Sequence, residues 1–187
     1  MVVQNRTYTA DDLWALSHRS ASRLELSEGE LSEMSPAGGK HGWLAHRFAL
    51  RIGNFVEAHD AGYVTAAETG YILHKNPNGR DTVRAPDVGF ISKTRLPEGL
   101  PDQYIPYPPE LAVEIVSPND EAVEVEAKLN DYLKYGVRLI VFCYPKTQTL
   151  HVYRGNNHQV LHLDDTLDVG DILPGFTISV RDIFGLE

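Results

Sequence analysis

The sequence predicts an α/β (α+β) fold, in which a mixed sheet is flanked by helices within a single domain spanning residues 1–187. The chain of 187 residues is 42% hydrophobic, which is enough to form one core of useful size. Segments of strand-like composition are interleaved with segments of helical periodicity, as in proteins that cover a sheet with helices. The segment RLIVFCY at residues 138–144 is almost continuously apolar, which is typical of a strand buried on both faces.

The N-terminal part of the chain predicts a short helix, a hairpin and a long helix. In TYTADDLWALS, Thr9 precedes two acids in the order expected at a capped helix start. The segment RLELSEGELSEMS contains two alternating stretches around Glu28 and Gly29, which predicts a hairpin. A long helix over residues 40–59 follows, because apolar side chains recur along one face. Its predicted buried face comprises Leu44, Phe48, Ile52, Phe55 and His59.

Three further strands are predicted at residues 62–74, 84–92 and 110–117. Segment 93–109, between the last two, is too rich in proline for regular structure and long enough to be a functional loop. SPND predicts the start of a second helix over residues 120–135, which ends at Gly136. After the buried strand, TLHVYR predicts another strand, and the tail predicts short extended segments that end in a helical turn.

Composition favours a cytoplasmic protein without a membrane segment. No apolar run approaches the roughly 18 residues of a membrane helix, and the first residues lack a signal-peptide core. The single cysteine, Cys143, cannot form an internal disulfide, which suits a reducing compartment. The formal net charge is −9, but residues 75–95 are mainly basic and residues 110–131 mainly acidic. This separation suits a cation-assisted reaction on a phosphate ester, but composition alone favours an ordinary acidic protein with clustered charges.

Two acids interrupt predicted buried strands. Glu114 lies within LAVEIVS, and Asp87 begins the strand in RAPDVGFI directly after Pro86. A buried carboxylate needs a cation, a hydrogen-bond donor or a metal ion as its partner. If the two strands pair, both acids can converge on one Mg²⁺ or Mn²⁺ ion, which prefers oxygen ligands. Alternatively, Asp87 caps a turn and Glu114 pairs with an arginine in the core.

Lys128 is the cation best placed to join these acids. It lies on the flank of the apolar stripe of the second predicted helix, from which its side chain can reach the end of the sheet. The alternative is a pair with Glu124, four residues earlier, on a solvated helix face.

Several segments in order resemble one family. PDVGFI, LAVEIVSPND and EAKLNDYLKYGVRLIVFCYP, together with LELSEGELSEMSPAGGKHG and GDILPGFTISVRDIF, resemble the Uma-type family of restriction endonucleases within the PD-(D/E)xK nuclease superfamily. The resemblance implies a four-stranded core flanked by two helices, with a divalent metal at Asp87 and Glu114. It also implies that the lysine has moved from the strand, where Val116 stands, to the helix at Lys128. Tyr144 departs from the family pattern, which has an acid there.

Other residues are weaker candidates. Glu30, in the hairpin, is either a further acid at the site or an ordinary exposed side chain. His41 is either a supporting residue or a buried, hydrogen-bonded histidine, and Glu68 either lies near the sheet end or forms a strand-end salt bridge. The residues expected to follow a DNA backbone are Lys40, Arg47, Arg51 and Arg84.

The sequence therefore predicts a Mg²⁺- or Mn²⁺-dependent DNA endonuclease, with Asp87, Glu114 and Lys128 as catalytic residues and no organic cofactor. Two alternatives remain open: a nuclease-fold protein that binds nucleic acid or a protein partner without cutting, and a hydrolase of a small phosphate ester. A homodimer is expected, because cutting both strands generally needs two sites. Tyr104 and Tyr107 in segment 93–109 are possible interface aromatics.

Overall fold

A six-stranded sheet forms the centre of the computed structural model, which describes residues 6–19, 23–67 and 69–186. Its strands, numbered in chain order, lie side by side in the order β10 (Asn157–Leu161), β9 (Thr149–Arg154), β8 (Leu139–Tyr144), β7 (Leu111–Ile115), β6 (Val88–Ser92) and β3 (Gly62–Ala66). Strands β7 and β8 run parallel, and the other neighbouring pairs are antiparallel. The predicted mixed sheet is confirmed.

Each face of this sheet packs against a helix. On β8, alternate side chains point to opposite faces, so that Val141 belongs to one core and Phe142 to the other. The first core packs on α2 (Gly39–Ala58) and on the C-terminal elements β11 (Thr166–Asp168), β12 (Thr177–Ser179) and α4 (Val180–Phe184). The second core packs on α3 (Ala122–Lys134). Glu114, two residues after Ala112 on β7, faces the α3 side.

A smaller sheet from the N-terminal half lies beside the central one. Its strand order is β2 (Glu30–Met34), β1 (Arg23–Ser27), β5 (Thr82–Arg84) and β4 (Tyr71–His74). The predicted hairpin is β1–β2, and its turn residues Glu28 and Gly29 both have positive φ, as a type I′ hairpin turn requires. The predicted first helix is α1 (Ala10–Ser17), where Thr9 and Asp12 form a reciprocal capping box.

Two of the predicted strands are each divided between the two sheets. The predicted strand at 62–74 comprises β3 and β4, and the one at 84–92 comprises the end of β5 and all of β6. The chain leaves one sheet for the other at these points, and Pro86 marks the second break because it has no N–H to donate. The prediction of continuous strands at 62–74 and 84–92 was therefore wrong.

The predicted apolar face of α2 is confirmed along most of the helix. Leu44, Phe48 and Ile52 are buried, and the series continues to Val56. His59 is exposed rather than buried, because the helix ends at Ala58 and His59 is its C-cap. None of the helices in the described residues is both long enough and apolar enough to cross a membrane.

The proline-rich segment 93–109 is anchored on the N-terminal sheet. Ile105 exchanges backbone hydrogen bonds with Gly70 and Ile72. The Tyr104 ring packs edge-on against Trp14, with centroids 5.1 Å apart, whereas Tyr107 is 45% exposed. Of the two tyrosines expected at a dimer interface, Tyr107 is therefore the one presented at the surface.

Candidate active site

The register between β6 and β7 brings Asp87 and Glu114 together. Val88 lies opposite Val113 in this antiparallel pair, so the preceding Asp87 lies opposite Glu114. The backbone N–H of Ile115 donates to Asp87 Oδ2 at 2.7 Å, which fixes the Asp87 carboxylate at the end of the two strands. The two acids that interrupt the predicted strands therefore lie at one end of the central sheet.

Lys128 reaches these acids from α3. Its Nζ atom lies 3.3 Å from Glu114 Oε2 and 3.5 Å from Glu25 Oε1, and its side chain is only 13% exposed. This placement differs from the alternative of a solvated pair with Glu124. Burial disfavours the ammonium, but the carboxylates of Glu114 and Glu25 hold the pKa of Lys128 above its ordinary value.

Glu114 is held by two side chains from the same face of α3. The Tyr132 hydroxyl donates to Glu114 Oε1 at 2.6 Å, while Lys128, one helical turn earlier, approaches the other carboxylate oxygen. Burial raises the pKa of Glu114 to about 7, and the negative charges of Asp87 and Glu25 act in the same direction. Near neutral pH, the Glu114 carboxylate therefore binds either a proton or a nearby cation.

Glu25, on β1, is the acid that the sequence analysis missed. Its side chain is 2% exposed. Glu25 Oε2 accepts from Arg84 at 2.9 Å, and Oε1 accepts from the Ala85 N–H at 2.9 Å. In RLELS, Glu25 alternates with leucines and so predicts a solvent-facing position, but β1 is buried on both faces at this point. The one signal in the sequence was Arg84, a cation at the start of a predicted strand, which would need a carboxylate partner if it were buried.

Arg84 lies inside the protein, where it cannot follow a DNA backbone, so that expectation was wrong. Its guanidinium donates to Asp131 Oδ2 on α3, through Nε at 2.8 Å and Nη2 at 2.6 Å, and to Glu25. The hydroxyl of Ser27 also donates to Asp131, at 2.8 Å. Side chains of alternating charge thus run from Asp131 to Glu114. In order, they are Asp131, Arg84, Glu25, Lys128 and Glu114.

Of the remaining candidates His41 and Glu30, only His41 contacts one of the two acids. His41, in the first turn of α2, places Nε2 3.2 Å from Asp87 Oδ2, and this hydrogen bond raises the pKa of His41. Glu30 is exposed on β2, and Glu25 on the partner strand occupies the place expected for a hairpin acid. Glu68 lies outside the described residues.

Comparison with known proteins identifies the family. The sequence model of the Uma2 family, described as "Putative restriction endonuclease", matches residues 10–181. The chain belongs to the Uma2 family. Membership supports a nuclease function in general terms. A comparison with curated proteins gave no match.

A solved structure shares the fold of this Uma2 chain. It is the crystal structure of "a putative nuclease belonging to DUF820" from Anabaena variabilis. The two structures superpose with a TM-score of 0.78 and cover 95% of this chain and 97% of the other, at 20% sequence identity. At this identity the similarity establishes the fold, and it confirms the predicted restriction-endonuclease-like architecture.

The other three residues expected to follow a DNA backbone, Lys40, Arg47 and Arg51, lie on α2 of the Uma2 chain, and two of them are used within the fold. Arg47 Nε donates to the Ile183 carbonyl at 2.9 Å, and Arg51 lies 3.7 Å from the Asp182 carboxylate, so both hold α4 against α2. Lys40 is exposed, with Nζ 3.3 Å from the Pro145 carbonyl. Of the three, Lys40 is the residue best placed to meet a phosphate group.

The donor set of this Uma2 site suits a magnesium ion. Among the described residues, no three His, Cys, Asp or Glu side chains form a group that could hold a metal by themselves. Asp87 and Glu114 supply two carboxylates, and Mg²⁺ is commonly bound by one or two carboxylates with waters and substrate phosphates. The residues present therefore fit a Mg²⁺ or Mn²⁺ ion that shares its coordination with the substrate.

Proposed function

We propose that this Uma2 chain is a Mg²⁺- or Mn²⁺-dependent endonuclease that hydrolyses phosphodiester bonds in DNA. The observation that carries the proposal is the meeting of Asp87, Glu114 and Lys128 at one end of the central sheet. Two carboxylates beside a buried ammonium suit a reaction in which a cation and a phosphate must be bound together. An intact cluster of this kind favours catalysis over binding alone.

Asp87 and Glu114 would hold the divalent ion. When bound, Mg²⁺ supplies a positive charge that lowers the pKa of water and neutralises charge on a phosphoryl oxygen. The Ile115 N–H and His41 both bind Asp87 Oδ2, so they fix the orientation of this carboxylate before a substrate arrives.

Lys128 would orient the attacking water or stabilise the charge that develops on the phosphate. Its ammonium is held between Glu25 and Glu114, and Glu25 is fixed in turn by Arg84. Because these contacts exist without substrate, little reorganisation is needed when charge develops in the transition state.

Incubation with plasmid and with single-stranded DNA tests the activity. We expect nicking or strand scission with Mg²⁺ or Mn²⁺, and none in excess EDTA. Intact DNA after prolonged incubation with either metal, at micromolar protein, would count against an endonuclease and favour the non-cutting alternative.

Substitution of Asp87 by asparagine should weaken Mg²⁺ or Mn²⁺ binding by about 100-fold, because it removes one of two charged ligands. Asparagine keeps a carbonyl oxygen for the Ile115 N–H, so the fold should persist. Isothermal titration calorimetry measures the binding, and Glu30→Gln, which removes an exposed hairpin acid, is the matched control. Equal metal affinity in wild type and Asp87→Asn would remove Asp87 from the site.

Metal binding should release a proton from Glu114 at mildly acidic pH. The pKa of Glu114 is raised to about 7 by burial, so the carboxyl is mostly protonated below that pH and ionised above it. Apparent Mg²⁺ affinity should therefore rise with pH up to about 7 and then level off. Calorimetry in buffers of different ionisation enthalpy measures the released proton. Equal proton release at about pH 6 and about pH 8 would contradict this assignment.

A further inference from the structure

Four aromatic side chains form a continuous group on strands β8–β10, which we call the aromatic platform. They are Tyr144, His151, Tyr153 and His158. The ring centroids are 4.4 Å apart for Tyr144–His151, 5.2 Å for His151–His158 and 4.3 Å for Tyr153–His158. The last pair is nearly parallel, with an interplanar angle of 8°. His158 is exposed, and the other three rings are partly exposed.

The aromatic platform lies on the same face of the sheet as Glu114. In register, Glu114 on β7 lies opposite Phe142 on β8, which lies opposite His151 on β9. Directly opposite residues in a sheet share a face, and Tyr144 is two residues beyond Phe142. The platform thus continues from the candidate active site towards the β10 edge.

The platform presents the faces of its aromatic rings. Burial lowers the pKa of His151, and the neighbouring His158 and His162 act in the same direction, which favours the neutral form of this ring. Partly exposed aromatic rings offer π-faces on which other flat rings can stack.

Two lysines lie near the end of β8, next to Tyr144 in the chain or in space. Lys40 precedes His41, which contacts Asp87, and its Nζ atom lies 3.3 Å from the carbonyl of Pro145. Lys146, the next residue in the turn between β8 and β9, is exposed. A strand that passes from the acids to the aromatic platform would therefore meet cations suited to its phosphates.

We propose that the aromatic platform binds the unpaired bases of a single DNA strand next to the phosphodiester at Asp87 and Glu114. The placement next to a cleaved bond rests on the proposed function, whereas the stacking itself does not. With a net charge of −9, the protein gains little from general attraction to DNA, so local stacking must supply much of the affinity. Base stacking on aromatic side chains is tolerant of sequence because every base has a π-face.

Binding to strands with and without bases tests the proposal. The probes are a fluorescent oligothymidylate of about 12 nucleotides, an abasic strand of equal length and the matching duplex. Fluorescence anisotropy in EDTA reports binding without cleavage. We expect the oligothymidylate to bind at least about tenfold more tightly than the abasic strand, and more tightly than the duplex.

Variants assign this preference to the platform. His158→Ala and Tyr144→Ala should each reduce the ratio of the two affinities about fivefold or more, with unchanged affinity for the abasic strand. Tyr107→Ala, which removes a comparably exposed aromatic elsewhere, should leave the ratio unchanged. His158→Phe should preserve the ratio of the two affinities. His158→Lys should strengthen binding to both strands and lower that ratio. Melting temperatures control for folding. If Tyr144→Ala unfolds, the affinity ratio of His158→Ala, a change at an exposed residue, tests the proposal by itself.

Three results would overturn the proposal: equal affinity for the two single strands, an affinity ratio that no platform variant changes, or a duplex bound as tightly as the single strand. A change of oligomeric state in His158→Ala, measured by light scattering, would assign the rings to a subunit contact instead. Failure of cleavage with Mg²⁺ would overturn the proposed function and leave this metal-free binding result unaffected.

Discussion

Substitution of Lys128 by alanine should reduce the rate of DNA cleavage by about 10²–10³-fold, the usual effect of losing one well-placed electrostatic group. The ammonium lies 3.3 Å from Glu114 and 3.5 Å from Glu25, so its charge acts where the metal and phosphate would bind. Metal binding should persist, because the carboxylates of Asp87 and Glu114 remain and a competing cation has been removed. Single-turnover cleavage of a labelled duplex measures the rate, with the melting temperature as the control for folding.

Lys128→Arg is the sharper variant. A planar guanidinium cannot replace a compact ammonium between two carboxylates, so we expect a loss similar to that of alanine. Lys134→Ala is the matched control on the same helix, because Lys134 is more than half exposed and pairs with Glu28 at the surface. Full activity of both Lys128 variants would contradict a catalytic role for this residue.

Substitution of Arg84 by alanine should destabilise the protein by about 3–5 kcal/mol, which is typical when one partner of a buried ion pair is removed. The guanidinium pairs with both Glu25 and Asp131, and both of these residues are buried. For a chain of this length, the melting temperature should fall by roughly 10 °C. Urea unfolding and calorimetry measure the two quantities.

The control for this variant is Arg80→Ala, four residues earlier, where an exposed guanidinium donates to the Glu28 carbonyl. Its loss should change stability by less than about 0.5 kcal/mol. The double variant Arg84→Met with Asp131→Asn should recover part of the lost stability, since it removes one of the unpaired charges. If Arg84→Ala melts like the wild type, the Arg84 pairs contribute little to stability.

The acids of the candidate site were predictable because both interrupt apolar strands. A single residue of the wrong polarity in or beside a buried strand is visible in the sequence, and Pro86 and Asp87 directly precede β6. The position of Lys128 followed from helical periodicity together with the family resemblance. Its contact with Glu114 could not be derived, because the rotation of α3 on the sheet depends on tertiary packing.

Glu25 and the division of the strands could not be predicted for related reasons. Alternation in RLELS is typical of a half-exposed strand, and nothing local indicates that β1 is covered on both faces. The segments 62–74 and 84–92 have strand composition throughout, so composition does not reveal that each passes from one sheet to the other. Arg84 could not be assigned to the interior because a basic residue in a strand suits either face.

The ion network between the two sheets joins residues that are far apart in sequence, so the proposed activity would depend on the completion of folding. Ser27 and Asp131 are hydrogen-bonded across 104 residues of sequence, and Glu25 and Lys128 meet over a similar separation. During synthesis, α3 leaves the ribosome long after the β1–β2 hairpin. Contacts between residues so far apart in sequence form late in folding. Under the proposed function, a nascent or partly folded chain would lack the ammonium between its acids, and with it the proposed cleavage of DNA.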